Sequence, residues 1–239
     1  MAAEIDASRA MYDAVLPTLV SAFRQLEQTV APPTLISIGG RRAFRYVEKQ
    51  PQQAIVLKLS RLVTGLQAVW TLLERGLPQE AAAIQRILDE IGSDVMFLAG
   101  PLTLGPKEAI HDAYLADFFQ EEFHVADPVG SQQSRHRVPR KKIRAYVART
   151  YRAADEPIDR AIAVAGFIEG AYSGYVHVAG AQAMDTYGGS PRRFHVEGMQ
   201  GTSIVEEAAA DFRNYLFRGL TDMACGANAL GLDQLFREL

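Results

Sequence analysis

The sequence predicts an all-α protein: a single-domain bundle of about six to eight helices around a buried central helix at residues 157–187. Apolar residues recur at spacings of three and four over long segments, which is typical of packed helices. Prolines and glycines stand between these segments, where helices begin and end. The composition, 48% hydrophobic and 22% charged in 239 residues, is that of a globular protein.

Charge and cysteine content narrow the class of protein. The net charge of −3 argues against a protein devoted wholly to nucleic acid, so any basic function is local. The single cysteine, Cys225, allows no internal disulfide and fits a reducing compartment. The first residues lack the basic start and apolar stretch of a signal peptide. We therefore expect a soluble cytoplasmic protein without a membrane span.

Residues 1–50 are predicted to add a helix and a β-hairpin to the bundle formed by residues 51–239. The helix runs from about residue 7 to residue 30, with Pro17 as a kink or a late start, and two prolines follow it. Two β-prone runs then flank Gly39-Gly40, which predicts a short hairpin at residues 34–47. We treat residues 1–239 as one helical domain.

A helical hairpin is predicted next. Pro51 occupies a first-turn position, Gly76 ends the first arm and Pro78 begins the second. Each arm carries an apolar stripe with helical spacing: Ile55, Leu59, Leu62, Leu66, Val69 and Leu73 in the first, and Ile84, Leu88, Ile91, Val95 and Leu98 in the second.

The later helices are separated by polar or glycine-rich stretches. One is predicted from Pro106 to about residue 125, and a basic helix follows Pro139. Residues 157–187 are apolar on nearly every side, which predicts burial in the centre of the bundle. This segment is long enough to cross a bilayer, but it has no basic flanks or aromatic belts. The last long helix begins near Ser203.

The predicted central helix carries one polar line. Glu169, Ser173 and His177 follow at steps of four and would share one face. In a catalytic role, His177 is a general base or ligand contact, oriented by Ser173 and polarised by Glu169. The alternative is a buried network, fully hydrogen-bonded, that only sets the register of the helix.

A second polar line lies on the second arm of the helical hairpin. Arg86, Glu90 and Asp94 also step by four. Arg86 and Glu90 are predicted to bind a ligand, with Arg86 beside Glu169 or holding an anionic group. The alternative is an ordinary ion pair within the helix.

Residues 135–152 form a basic segment with no acidic residue. Arg140, Lys141, Lys142 and Arg144 are predicted to contact a nucleic-acid backbone. The alternative is a solvated face that pairs with the acidic stretch at 117–127. A Glu-x-x-His spacing in that stretch has no second copy, so we predict neither a metal nor a cofactor.

Two short motifs carry a family resemblance. The stretch Leu72-Leu73-Glu74-Arg75-Gly76 with Arg86 and Glu90, followed much later by Tyr172-Ser173-Gly174-Tyr175-Val176-His177, resembles an uncharacterised bacterial all-helical family. That family is similar to HEPN-type bundles, which occur in toxin–antitoxin and phage-defence settings, some as RNases. The resemblance marks Arg86, Glu90, Ser173 and His177 as functional positions. The Arg-x(4–6)-His motif of active HEPN nucleases is missing, which puts RNase activity by that mechanism in doubt.

These patterns leave three functional hypotheses. The first is an internal polar pocket that binds a small or nucleotide-like ligand, in a bacterial defence or toxin–antitoxin setting. The second is a non-enzymatic interaction protein, with a homodimer as one assembly, that contacts nucleic acid or an acidic partner through residues 135–152. The third is a structural subunit whose buried polar groups only specify packing. Whether the protein is an enzyme stays open.

Overall fold

The computed structural model describes residues 2–121, 137–153 and 156–239, which form a helical bundle with two small antiparallel hairpins. The first half comprises α1 (Ala2–Glu27), β1 (Thr34–Ile38), β2 (Arg41–Arg45), α2 (Pro51–Glu74), α3 (Pro78–Thr103) and α4 (Ala109–Phe118). The second half comprises α5 (Arg140–Tyr151), α6 (Ile158–Ala171), α7 (Ser173–Val176), α8 (Gly180–Met184), β3 (Tyr187–Gly188), β4 (Arg193–Phe194), α9 (Ser203–Ala229) and α10 (Asp233–Glu238). The all-α class is confirmed.

The predicted β-hairpin is present. Strands β1 and β2 pair antiparallel, with Leu35 opposite Phe44. The turn between them is Gly39-Gly40, and both glycines have positive φ, 53° and 80°. Two consecutive residues with positive φ are what a tight hairpin turn demands, and glycine adopts that conformation without steric cost.

The core lies where α1, α2, α3 and α9 pack together. Trp70 of α2 is buried in a cluster of three aromatic rings, with its centroid 5.4 Å from that of Tyr12 and 5.9 Å from that of Phe212. In the described residues, α2 is the one helix long and apolar enough to cross a membrane, and half of its most apolar window is buried. That burial is what a core helix of this bundle requires.

The prediction of one buried central helix at 157–187 is wrong. The segment is divided into α6, α7 and α8, with Val178 in the left-handed region at φ 52°. Its large apolar side chains face outward, with Phe167 76% exposed and Val164 48% exposed. Glycines at 170, 174 and 180 weaken a continuous helix by about 1 kcal/mol each relative to alanine. The central position is taken by α2, α3 and α9 instead.

Candidate functional site

A groove of about 520 Å³ lies between the first turns of α3, the α6–α7 junction and the first half of α9. We call it the α3–α9 groove. Its polar lining includes Gln79, Gln85, Tyr172, Tyr175, Asp185, Glu207 and Asp211. The glutamines come from α3 and Asp211 projects from α9. Tyr172 lies at the break between α6 and α7, and Tyr175 lies in α7. Its volume falls within the range of small-molecule sites.

Two tyrosine–carboxylate pairs form one side of the groove. The Tyr172 hydroxyl donates a hydrogen bond to the Asp211 carboxylate, and the Tyr175 hydroxyl donates one to Asp185 at 3.3 Å. Burial and the neighbouring carboxylates raise the pKa of both phenols above the ordinary value, with burial the larger cause. Both tyrosines are therefore neutral donors at physiological pH.

Gln85 is the most deeply buried polar side chain of the groove. It is 3% exposed, and its Nε2 has no hydrogen-bond partner among the described residues. A buried donor left unpaired costs about 1–3 kcal/mol, so such a group needs an explanation in a folded protein. A bound molecule that hydrogen-bonds to this amide would remove that cost.

Behind the groove, polar residues of α3 and α9 continue inward, three of them buried and the fourth, Arg218, half-buried. We call them the polar seam: Asp89 from α3, with Tyr215, Arg218 and Asp222 from α9. Asp89 accepts a hydrogen bond from the Tyr215 hydroxyl at 3.2 Å and pairs with Arg218 at 2.7 Å. The Tyr215 ring also meets Tyr172 edge-on, with centroids 6.1 Å apart. The seam therefore begins at the wall of the groove.

Asp222 ends the seam in the core. Burial raises the pKa of its carboxyl to about 7; Asp89 adds to the increase, and Arg218 opposes it. A raised pKa is common at catalytic sites, but access decides the role. The space beside Asp222 and Arg218 is about 10 Å³, close to the minimum volume for one water molecule. The inner end of the seam is therefore structural.

The three residues predicted to be catalytic are not on one continuous helix. Glu169 lies in α6, and its side chain is outside the described part of the structure. Ser173 begins α7 and is half-buried, and His177 is exposed just after α7 ends. The interruption at Tyr172 means that steps of four no longer place them on a shared face. Their catalytic role stays a prediction.

Arg86 and Glu90 form the intrahelical ion pair considered as the alternative. The Arg86 Nη2 lies 2.8 Å from the Glu90 Oε1. Glu90 is 42% exposed, so the pair contributes at most about 0.5 kcal/mol to stability. Neither residue lines the α3–α9 groove, and their role in ligand binding stays a prediction.

In the basic segment, some side chains form ion pairs within the fold and others face solvent. Residues 135 and 136 lie outside the described ranges. The Arg140 guanidinium pairs with the buried Asp94 carboxylate, which also receives Lys58 Nζ at 2.6 Å and the Tyr114 hydroxyl at 2.8 Å. Arg144 is half-buried, whereas Lys141 and Lys142 are exposed. Arg140 therefore forms an ion pair within the fold, and two of the four residues predicted to contact nucleic acid, Lys141 and Lys142, are exposed.

The sequence analysis did not identify the polar seam or the α3–α9 groove, and the reason is geometric. The predicted line on α3 ran through residues 86, 90 and 94, whereas the buried line begins one residue earlier, at Gln85 and Asp89. One residue is a 100° rotation on a helix. A signal was present on α9, where Asp211, Tyr215, Arg218 and Asp222 recur at steps of four, three and four. This is the helical period carried by polar residues.

None of the protein-family models, curated proteins or solved structures compared with the chain matches it. The resemblance to a HEPN-related family therefore stays a prediction, and the function is inferred from the residues of this chain.

Proposed function

We propose that this protein is a helical bundle that binds a small organic molecule in the α3–α9 groove. The observation that carries the proposal is Gln85, whose amide is almost fully buried, lines the groove and has an unpaired Nε2 among the described residues. Aromatic and apolar walls with a few polar groups are typical of such sites. Two walls of the groove come from α3 and α9, which pack directly against each other.

The lining modifies the ligand expected from the sequence. Asp185, Glu207 and Asp211 surround the groove, and phosphate groups of a nucleotide would be repelled by three carboxylates. A ligand without phosphates fits better. The cytoplasmic location and the defence or toxin–antitoxin setting stay predictions that accompany this proposal.

Substitution of Gln85 tests the proposal. We expect Gln85→Leu to fold with unchanged or slightly higher stability, because an apolar isostere removes an unpaired buried donor. In thermal denaturation with a panel of amines, polyols, carboxylates and nucleosides, at least one compound should raise the unfolding midpoint of the parent protein and not that of the variant.

The matched control is Gln28→Leu, which makes the same change at an exposed position after α1. It should respond to the panel like the parent protein. A panel in which no compound stabilises the parent protein, or a Gln85→Leu variant that responds equally, would remove the proposal.

Nucleic-acid binding is the other candidate, and the observation in its favour is the exposure of Lys141 and Lys142 on α5. It requires RNA or DNA binding that weakens with salt and is lost in the double alanine variant. The pairing of Arg140 with Asp94 makes this candidate the weaker one. A homodimer also stays a prediction, for which light scattering of the purified protein is the direct measurement.

A further inference from the structure

The α3–α9 groove has a strongly one-sided charge. Its lining carries the carboxylates of Asp185, Glu207 and Asp211, and none of the described residues that line it is lysine, arginine or histidine. Asp185 and Glu207 are exposed and Asp211 is half-buried, so their field reaches the groove mouth. Clefts lined by one sign of charge concentrate ligands of the opposite sign. The charge favours a cation.

The aromatic wall favours the same class of ligand. The rings of Tyr172 and Tyr175 lie 6.0 Å apart at an interplanar angle of 35°. Each hydroxyl donates to a carboxylate, Asp211 or Asp185. These bonds make the rings more electron-rich. The Asp211 Oδ1 also accepts a hydrogen bond from Asn214 Nδ2 at 3.3 Å, and the carboxylate oxygens have further lone pairs that a ligand can use. Organic cations bind to tyrosine faces within about 6 Å of the ring centroid.

The rest of the lining favours an alkyl chain beside the charge. Asn214 and five small or apolar residues complete the walls; the five are Pro78, Ala82, Ile204, Ala208 and Ala210. These five offer no polar group from their side chains and accept methylene groups. The Gln85 amide can turn about its last bond, so it can accept from an ammonium N–H through Oε1 or donate through Nε2.

From this combination we infer that the α3–α9 groove binds an alkylammonium ligand: a small organic amine, protonated at neutral pH, held between the tyrosine faces and the carboxylates. The inference rests on the proposed function and names the ligand class of the same site. An amine with two ammonium groups should bind more tightly than one with a single group, because carboxylates stand on two walls of the groove, Asp185 before β3 and Asp211 on α9.

The experiment compares three probes of matched length: 1,4-diaminobutane, 1,4-butanediol and succinate. Titration calorimetry on the full chain should show binding of the diamine alone, weakening as salt concentration rises. Asp211→Asn keeps an acceptor for Tyr172 and removes one charge, and we expect it to weaken diamine binding at least about tenfold. Asp13→Asn makes the same change at an exposed position of α1 outside the groove and should bind like the parent protein.

The outcomes separate the two proposals. Binding of butanediol or succinate that is lost in Gln85→Leu, without binding of the diamine, overturns the ligand class and leaves the groove as a binding site. Binding of the diamine with equal affinity by the parent protein and Asp211→Asn also overturns it, since the cation would then bind elsewhere. Failure of these probes and of the whole compound panel removes both the ligand class and the proposed function.

Discussion

Asp222 makes the stability of the fold depend on pH in the neutral range. The pKa of its buried carboxyl is raised from 3.8 to about 7, chiefly by burial, with Arg218 opposing the increase and Asp89 adding to it. Between about pH 4 and pH 7, the folded chain therefore keeps a proton that the unfolded chain has released. Because the folded state binds more protons in this interval, the free energy of unfolding falls as pH rises.

The size of the effect follows from the difference between the two pKa values. Each pH unit in the interval lowers the free energy of unfolding by about 1.4 kcal/mol, so that the full interval amounts to roughly 4 kcal/mol. Above pH 7 Asp222 is ionised in both the folded and the unfolded state, so it no longer makes the free energy of unfolding depend on pH. Burial also raises the pKa of Asp89, against its ion pair with Arg218, and this group acts in the same direction. The total free energy of unfolding of a typical domain is only about 5–15 kcal/mol.

The perturbation is Asp222→Asn, a substitution of nearly equal size that carries no charge at any pH. Urea denaturation followed by circular dichroism should be measured from pH 5 to pH 8. Across that range, the difference in unfolding free energy between variant and parent should change by about 3 kcal/mol in favour of the variant. Asp13→Asn, on the exposed side of α1, controls for the loss of a carboxylate, and its difference should stay constant.

A constant difference for Asp222→Asn would show that its carboxyl titrates outside this range. A difference that is constant from pH 5 to pH 8 and favours the parent protein would show that the carboxylate form is the stabilised one, because a lowered pKa places the titration below this range. In that case attraction to Arg218 outweighs burial, and our assignment of the dominant cause is incorrect.

Two stability predictions use other contacts. Gly92→Ala should lower stability by about 1–3 kcal/mol, because the new Cβ would lie 2.6 Å from the Asp222 Oδ2. Gly170→Ala has no atom within 4 Å of the new Cβ and should raise stability by up to about 1 kcal/mol; equal urea midpoints would contradict both. Arg140→Ala should cost about 2–3 kcal/mol because it removes a partner of a buried carboxylate. Arg149→Ala, which breaks an exposed pair, should cost less than about 1 kcal/mol, and the reverse order would refute the distinction.

The elements that the sequence predicted correctly are those that local signals determine. The helical hairpin of α2 and α3 is bounded by Pro51, Gly76 and Pro78, and its apolar stripes have the period of a helix. The β-hairpin follows from the Gly39-Gly40 turn. Each of these signals acts within a few residues, so no knowledge of the neighbouring elements was needed.

The position of α6 depended on competition between elements, which no local pattern contains. A helix that is apolar on every side is able to be buried, but the interior of the bundle has room for only some of the apolar helices. Here α2, α3 and α9 occupy it, and Phe167 of α6 remains 76% exposed. The glycines at 170, 174 and 180 accompany the division of this segment into short helices.

The candidate site was hidden because its residues come from distant parts of the chain. Gln85 and Asp211 are separated by more than a hundred residues, and Tyr172 lies between them in sequence. The sequence analysis singled out Ser173 and His177 and the line of residues 86, 90 and 94 on α3, but none of these residues lines the groove. It missed the site for two reasons. The helix breaks at Tyr172, and on α3 the residue that faces the groove, Gln85, lies one position before the predicted line.

The groove and the polar seam form one continuous set of polar groups, and the free space beside each group decides whether it is able to bind a ligand. Gln85 and Asp89 are one turn apart on α3, and the Tyr172 ring meets Tyr215, so the groove and the polar seam share their supports. At the outer end the polar groups face about 520 Å³ and an open mouth. At the inner end the space beside Asp222 is about 10 Å³. A ligand therefore has room only beside the outer groups, while behind the groove the ion pair between Asp89 and Arg218 joins α3 to α9.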